Sequence, residues 1–345
     1  MAPIFSVILA LLIGAIILII AKRNPLLAYK ALFKGALGNL PFIGDTLCRA
    51  TPVIFTGLAV AFAFKCGLFN IGVEGQLLMG ALAAALVGHY VKGLPIYIHL
   101  PLSILAGALV GALWSALAGL LKAWRGVHEV ITTIMLNYIA YSLTAFAIER
   151  LRDGVTTKTP RVLTSAELKP ISNFISGFAG STLNMGFILA LIACWLIYFI
   201  LKKTVLGYEV KAVGFNPLAA EDGGIKVSKN IIIAMAISGA LAGLAGTERA
   251  LGMHGAFVSG ISPGLGFEGI AVALLANNNP FGIILSGILF GGLASGGLYM
   301  DMSANVPQDI VLIIQALIVF FAVVNFLARF KKPALFNRKK KEGAA

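Results

Sequence analysis

The polar side chains best suited to chemistry lie in the stretch FNIGVEGQ (69–76), which opens the apolar run LLMGALAAALVG. Asn70, Glu74 and Gln76 place a carboxylate between two amides, a set that can hydrogen-bond a polar solute or hold backbone N–H groups. Negative charge is also favoured at a helix N-terminus. The stretch GFEGIAVALL repeats the arrangement at Glu268. We expect both glutamates to cap helix N-termini, with direct contact to a solute as the alternative.

Two glycine-rich matches to enzyme motifs lack the structural context that those motifs require. Residues 264–269 fit G-x-G-x-x-G and residues 260–264 fit G-x-S-x-G, but neither follows a strand. The dipeptide Gly-Lys is absent, which excludes a phosphate-binding P-loop. The four histidines are not spaced as metal ligands. The sequence therefore predicts no catalytic residue, no metal and no cofactor, and it predicts that the chain is not an enzyme.

The composition is typical of a membrane protein. Hydrophobic residues make up 59% of the 345 positions, charged residues 12%, and the mean hydropathy is +0.94. Soluble domains are about half apolar and about a quarter charged. The formal charge of +13 lies mostly between apolar runs, as the positive-inside rule requires of membrane loops. The lipid bilayer is therefore the predicted surrounding, and nucleic acid is not a predicted partner.

The elements that must position these residues are helices. Apolar runs long enough to cross a bilayer predict an all-α polytopic membrane protein with about ten transmembrane helices. The predicted spans are 4–20, 51–66, 70–90, 99–121, 127–148, 185–201, 229–247, 265–277, 280–298 and 308–328. Basic residues place the loop 202–229 and the tail 329–345 in the cytoplasm. The segments 149–184 and 22–49 then lie outside, the latter against its basic charge.

The similarity between the stretches around Glu74 and Glu268 indicates two inverted five-helix halves, with a chance match as the alternative. Inverted repeats place broken helices near the middle of the membrane. Small residues at four-residue spacing also predict close helix packing. They are Gly107, Gly111, Ser115 and Gly119; Gly239, Gly243 and Thr247; and Gly287, Gly291 and Ser295.

A short capped helix is predicted within the loop 202–229. Asn216 is a favourable N-cap, Pro217 suits the first helical position, and Gly223-Gly224 ends the helix. A short, partly apolar helix of this kind suits docking into the groove of a partner. A capped surface loop without a partner is the alternative.

Four stretches, GLFNIGVEGQ, EVITTIMLN, AVGFNPLAAEDGGI and GFEGIAVALL, together resemble the permease subunits of bacterial ABC importers for nucleosides and simple sugars. These subunits belong with the branched-chain amino acid and ribose permeases. The resemblance covers about residues 25–328 and implies one transmembrane permease domain over 1–345, in the cytoplasmic membrane of a bacterium. It also implies three partners: an ABC ATPase subunit, a second permease subunit in a heterodimer, and an extracytoplasmic solute-binding lipoprotein.

The resemblance assigns residues to two sets. The coupling set, which contacts the ATPase, is Gly214, Asn216, Pro217, Ala219 and Ala220. The core set, which belongs to the translocation core, is Phe69, Asn70, Glu74, Gln76, Glu129, Asn137 and Glu268. The chain departs from the family where His128 replaces a common asparagine, where Glu268 replaces aspartate, and at Asn277-Asn278-Asn279. The roles of these positions stay open.

The predicted function is that of a permease subunit forming half of the route for a nucleoside, in an ATP-driven importer that works by alternating access. A simple sugar is the near alternative for the solute. A self-sufficient ion-coupled transporter would also explain an inverted repeat and buried acids, but it would not explain the capped helix at Pro217. A membrane transferase is disfavoured because the sequence has no cluster of aspartates or histidines.

Overall fold

The structure, a computed structural model, describes residues 2–152 and 156–330. Within these ranges the chain is helical, and the β-bridges are isolated ones. The helices are α1 (Ala2–Ile20), α2 (Pro25–Leu37), α3 (Leu40–Lys65), α4 (Val73–Tyr90), α5 (Ile96–Arg125), α6 (Glu129–Leu151), α7 (Gly186–Lys203), α8 (Val205–Phe215), α9 (Pro217–Asp222), α10 (Val227–Glu248), α11 (Leu265–Leu275), α12 (Pro280–Ala304) and α13 (Gln308–Phe330). A π-helical turn, Arg249–Met253, follows α10. The predicted all-α class is confirmed.

Six helices in the described ranges are long and apolar enough to cross a membrane, and the chain is accordingly a multi-pass membrane protein. They are α3, α5, α6, α7, α12, and α10 with its π-helical turn. Three shorter apolar segments, Phe5–Ile20, Leu265–Leu275 and Gln308–Phe321, coincide with further predicted spans. The predicted span at 70–90 forms α4, which is not among the six.

The described residues form two compact units. One consists of the described parts of 1–35 and 296–345, and the other consists of 36–295. In the first unit α1 packs against α13, and the Tyr29 hydroxyl donates a hydrogen bond to the Leu11 carbonyl. Every residue of the coupling and core sets belongs to the second unit.

The segment 22–49, predicted as an external loop, is helical over most of its length. It contains α2, and α3 begins at Leu40 rather than at 51, with the Asn39 side chain as its N-cap. Asp45 and Arg49 lower the hydropathy of this part of the sequence and so conceal the first turns of α3. The prediction of a loop here is wrong.

The predicted stripes of small residues lie where helix backbones meet. A Cβ atom on Gly111 of α5 would meet the carbonyl of Gly239 on α10, and one on Gly239 would meet Gly111 and Ser115 in return. A Cβ atom on Gly291 of α12 would likewise meet the backbone of Thr46 on α3. The stripes therefore allow helices to approach without intervening side chains, as predicted. This packing fixes the frame around the candidate site.

Parts of two predicted segments lie outside the described residues. They are 153–155, within the predicted external loop 149–184, and 331–345, within the predicted cytoplasmic tail 329–345. The described remainder of the loop, 156–184, contains two short 3₁₀ turns and no α-helix.

Candidate functional site

The helix interruption predicted in FNIGVEGQ is present. Residues 66–72, here called the first break, separate α3 from α4. Gly67 in this segment has a φ of +75°, a left-handed conformation that favours glycine. Residues 254–264, here called the second break, separate the π-helical turn from α11, and Gly264 at its end has a φ of +96°. Both glycine-rich acidic stretches therefore begin helices after irregular backbone.

Asn70 and Gln76 pair with each other at the first break. Asn70 Nδ2 donates a hydrogen bond to Gln76 Oε1, and Gln76 Nε2 donates one to Asn70 Oδ1, both at 3.0 Å. Asn70 Nδ2 also donates to the Ser238 hydroxyl at 2.9 Å, which donates to the Ala59 carbonyl at 2.7 Å. Both amides are buried, where such bonds are strengthened by the low dielectric. The network joins the first break to α3 and α10.

Asn137 on α6 holds the start of α4. Its Oδ1 accepts a hydrogen bond from the Gly75 backbone N–H at 2.9 Å, and its Nδ2 donates to the Ile71 carbonyl at 3.0 Å. The side chain is buried. One amide therefore satisfies a donor and an acceptor that the helix interruption leaves without partners in the backbone.

Glu129, at the start of α6, holds the first break from a second side. Its Oε1 accepts a hydrogen bond from the Phe69 N–H at 3.4 Å, and its Oε2 lies 2.9 Å from Lys122 Nζ on α5. His128 lies farther away, with Nδ1 3.9 Å from the same oxygen. The Phe69 ring packs against Phe64, with centroids 5.1 Å apart. Glu129 thus connects α5, α6 and the first break.

Glu74, in the first turn of α4, caps the N-terminus of α11. Its Oε2 accepts a hydrogen bond from the Gly266 N–H at 2.7 Å, and its Oε1 accepts one from the Gly264 N–H at 3.3 Å. The residue is fully buried, and the hydroxyls of Ser262 and Tyr141 also interact with its carboxylate. The predicted capping role is therefore confirmed for Glu74. The helix that it caps is not its own but one that begins about 190 residues further along the chain.

The N-termini of α4 and α11 meet at Glu74. A Cβ atom on Gly266 would lie against the Glu74 backbone nitrogen. Helix N-termini carry partial positive charge, so two helix dipoles converge on one carboxylate. Glu268 lies in the first turn of α11 and is only partly buried. Its carboxylate caps no helix through a hydrogen bond in the part of the chain that the structure describes.

A buried carboxylate outside the predicted sets, Glu248, lies at the end of α10. Asn184 Nδ2 donates a hydrogen bond to its Oε1 at 2.8 Å, and Asn184 Oδ1 accepts one from the Gly186 N–H at 2.8 Å. The neighbouring Arg249 donates through Nε to the Ile261 carbonyl at 3.1 Å, within the second break. Adjacent ionisable residues inside an apolar segment are the signal that identifies this cluster in the sequence.

The predicted short helix is present as α9. The Asn216 side chain accepts hydrogen bonds from the Leu218 N–H at 3.1 Å and the Ala219 N–H at 3.3 Å, and Pro217 is the first helical residue. Leu218 is 74% exposed, whereas Ala220 is buried. The predicted cap and the predicted helix bounds are confirmed, and α9 presents an apolar side chain to its surroundings.

Gly214 of the coupling set brings α8 against the end of α3 and the first break. A Cβ atom on Gly214 would meet the Lys65 carbonyl and the Gly67 nitrogen, and one on Gly67 would lie 3.3 Å from the Gly214 Cα atom. The backbone of α8 therefore touches the first break directly, at a glycine two residues before Asn216, the N-cap of α9.

The arrangement fixes helix positions and offers no reactive group. In the described ranges no group of three or more His, Cys, Asp or Glu side chains could hold a metal ion. Asn70, Glu74 and Asn137 bond to backbone groups, and Gln76 bonds to Asn70. Their chemistry is to stabilise two interrupted helices and the junction between them.

Comparison with known proteins assigns a family to this arrangement. Residues 42–323 match the family described as branched-chain amino acid transport system / permease component. The chain is 43% identical over 346 residues to the guanosine ABC transporter permease protein NupP of Bacillus subtilis (strain 168), covering 100% of this chain and 97% of NupP. It is 38% identical over 341 residues to the nucleoside ABC transporter permease protein NupB of Lactococcus lactis subsp. cremoris (strain MG1363), covering 96% of this chain and 93% of NupB. It is 34% identical over 351 residues to the glucose ABC transporter permease protein TsgB13 of Haloferax volcanii, covering 99% and 92%.

These matches extend over nearly the full chain and include the four stretches that carry the resemblance in sequence. The predicted family is confirmed. The chain belongs to the family of permease components of branched-chain amino acid transport systems.

Proposed function

We propose that this chain is the permease subunit of an ATP-driven importer that carries a nucleoside across the membrane by alternating access. The observation that carries the proposal is the 43% identity, over the whole chain, with a permease named for guanosine. The relative named for nucleosides supports the same class of solute. As a permease component the chain is not itself an enzyme, and ATP hydrolysis belongs to a separate subunit.

A simple sugar is the second candidate solute, because a relative named for glucose is 34% identical. Uptake measured in cells that lack this chain distinguishes the two candidate solutes. We expect deletion to abolish uptake of radiolabelled guanosine and uridine, with glucose uptake unchanged and nucleoside uptake restored by the native gene. Loss of glucose uptake alone would favour the sugar. Nucleoside uptake that a protonophore abolishes, but that survives loss of the ATPase, would contradict an ABC mechanism.

We propose ten transmembrane helices in two inverted halves of five, within one permease domain. The first half is α1, α3, α4, α5 and α6, and the second is α7, α10, α11, α12 and α13. The two breaks, the first-turn acids of α4 and α11, and the contact between the starts of these helices support the repeat. An experimental structure in which 51–148 cannot be superposed on 229–328 after inversion would contradict it.

The proposed orientation places the loop 202–229 and the tail 329–345 in the cytoplasm and the loop 149–184 outside, in the cytoplasmic membrane of a bacterium. Basic residues in the first two segments support this orientation. Cysteine labelling with a membrane-impermeant reagent in intact cells tests it. A cysteine at Leu218 should stay unlabelled until the membrane is opened, and one at Ser176 should be labelled at once.

The coupling role falls to α9 and its neighbours. Phe215 and Leu218 are 90% and 74% exposed, and large exposed apolar side chains of this kind mark contact surfaces. Closure of the ATPase would move α9, and the contact between Gly214 and Gly67 would pass the displacement to the first break. The proposed coupling residues are Gly214, Asn216, Pro217, Ala219 and Ala220.

The core set lines or supports the translocation route in this proposal. Its members are Phe69, Asn70, Glu74, Gln76, Glu129, Asn137 and Glu268. The hydrogen bonds of the buried members favour a positioning role, in which they keep the two breaks aligned while the halves rock. Among the three glutamates of the set, Glu268 is only partly buried and its carboxylate accepts no hydrogen bond within the described ranges, so Glu268 is the first candidate for a contact with solute.

The complex in this proposal contains an ABC ATPase, a second permease subunit in a heterodimer, and an extracytoplasmic solute-binding lipoprotein. Membership in a permease-component family implies the ATPase and the binding protein. Affinity purification from native membranes, followed by mass spectrometry, should recover an ATPase with a P-loop and a second, distinct polytopic subunit. A chain that is recovered alone, and that moves nucleosides in liposomes under an ion gradient, would contradict the proposed complex.

A further inference from the structure

A basic cavity of ≈240 Å³ lies where the ends of α3 and α7, the helix α8 and the connection between α11 and α12 come together. Its wall includes Lys65, Lys202 and Lys211, together with the asparagine run 277–279. We call it the basic cavity. The asparagine run is one of the departures from the family pattern, and neither the coupling set nor the core set includes any of these residues.

The three lysines of the basic cavity have no acidic partner. In the described ranges none of them forms an ion pair, although Lys122 on the same chain does so with Glu129 at 2.9 Å. The carboxylate of Glu209, two positions from Lys211, instead accepts a hydrogen bond from Asn230 Nδ2 at 3.0 Å. The ammonium groups of Lys211 and Lys202 repel that of Lys65. Like charges held together in a concave site favour a bound anion.

The negative ends of helix dipoles explain the positions of two of these lysines but not of the third. Lys65 ends α3 and Lys202 lies in the last turn of α7, where cations are favoured. Lys211 lies outside the last turn of α8, so this explanation does not extend to it. The ends of the helices therefore do not explain the whole positive charge of the basic cavity.

We propose that the basic cavity binds a phosphate ester. The ammonium groups of Lys65, Lys202 and Lys211 hold the phosphate oxygens. The same chemistry has two sources, the headgroup of a phosphatidylglycerol lipid and a small soluble ester such as glycerol phosphate. Basic pockets between membrane helices at the cytoplasmic surface bind anionic headgroups. The chemistry stands on the cavity alone, and only its cytoplasmic placement rests on the proposed orientation.

The test measures binding to the purified, delipidated full-length chain. One arm follows radiolabelled glycerol phosphate by equilibrium dialysis, and the other follows retention of phosphatidylglycerol against phosphatidylcholine by native mass spectrometry. The double variant Lys65→Gln with Lys211→Gln should bind both probes about 100-fold more weakly, since each charged hydrogen bond contributes about tenfold. The double variant Lys203→Gln with Lys229→Gln removes the same charge outside the cavity and should bind as the native chain does.

The outcomes separate the two sources and the two roles. Retention of phosphatidylglycerol without binding of glycerol phosphate assigns the cavity to lipid, and binding of both extends it to soluble esters. The variant Lys65→Arg with Lys211→Arg should keep binding, which distinguishes lost charge from lost folding. Absence of binding to the native chain, or equal weakening in the two glutamine variants, would overturn the proposal, and neither result bears on nucleoside transport.

Discussion

The junction between α4 and α11 makes a quantitative prediction for Glu74. Replacement by leucine leaves the N–H groups of Gly264 and Gly266 buried without an acceptor, at about 1–3 kcal/mol each. Replacement by glutamine keeps one oxygen for the shorter bond, to Gly266, and turns an NH₂ group toward Gly264. It also removes the negative charge from two helix N-termini. We therefore expect losses of about 2–6 kcal/mol for Glu74→Leu and about 1–2 kcal/mol for Glu74→Gln.

The free energy of unfolding of the full-length chain, followed by circular dichroism during titration of mixed micelles with dodecyl sulfate, measures this difference. Glu149→Gln, at an exposed carboxylate near the end of α6, is the matched control and should unfold as the native chain does. Uptake measured in parallel should fall in the same order. Equal losses for Glu74→Gln and Glu74→Leu would show that the charge, rather than the cap, is what the protein uses. A fully stable Glu74→Leu variant would refute the capping argument itself.

Three further substitutions test other contacts. Replacing both Asn216 and Pro217 with alanine removes an N-cap that contributes about 1 kcal/mol to the six-residue helix α9. Nucleoside uptake should therefore fall while membrane insertion stays intact, and unchanged uptake would contradict the docking role of α9. Gly214→Ala forces a methyl group against the first break, so ATP-driven uptake should fall several-fold, whereas Gly223→Ala, whose Cβ would meet its neighbours at 3.4 Å, should behave as native. Asn137→Leu leaves a donor and an acceptor at the start of α4 without partners and should lower the free energy of unfolding by about 2–4 kcal/mol, which chemical denaturation in detergent checks.

Features set by neighbouring residues could be predicted from the sequence. The α9 cap depends on Asn216 and on N–H groups two and three positions later, so its signal is complete within a few residues. The small-residue stripes could be predicted for a related reason. Close approach of helices needs small side chains at one-turn spacing, whatever the partner helix is. For Gly111 and Gly239 the structure adds only the identity of the partner.

Features that depend on distant residues could not be predicted. The sequence around Glu74 indicates a cap, but the N–H groups that it holds come from Gly264 and Gly266, and no local pattern identifies them. The start of α3 was concealed for the same reason. Asp45 reads as a loop residue in isolation, yet it accepts hydrogen bonds from the N–H and hydroxyl of Thr182, both at 2.9 Å. A charged side chain such as Asp45 can lie within a helix when a distant segment supplies its hydrogen-bond donors. The hydropathy of the sequence does not show those donors and therefore places the start of the helix too late.

The contacts at the two breaks form a continuous physical connection between the two surfaces that the proposed mechanism must couple. Gly214, on the helix α8 that precedes α9, touches the first break through its backbone, and Glu74 on α4 holds the start of α11. The second break is in turn bonded to the loop 156–184, where the Thr159 N–H donates to the Phe257 carbonyl at 2.9 Å. Contiguity does not by itself establish coupling, which needs an element with two arrangements. We propose the interrupted helices as that element, because side chains hold their irregular backbone and an exchange of those hydrogen bonds would not require a helix to unfold.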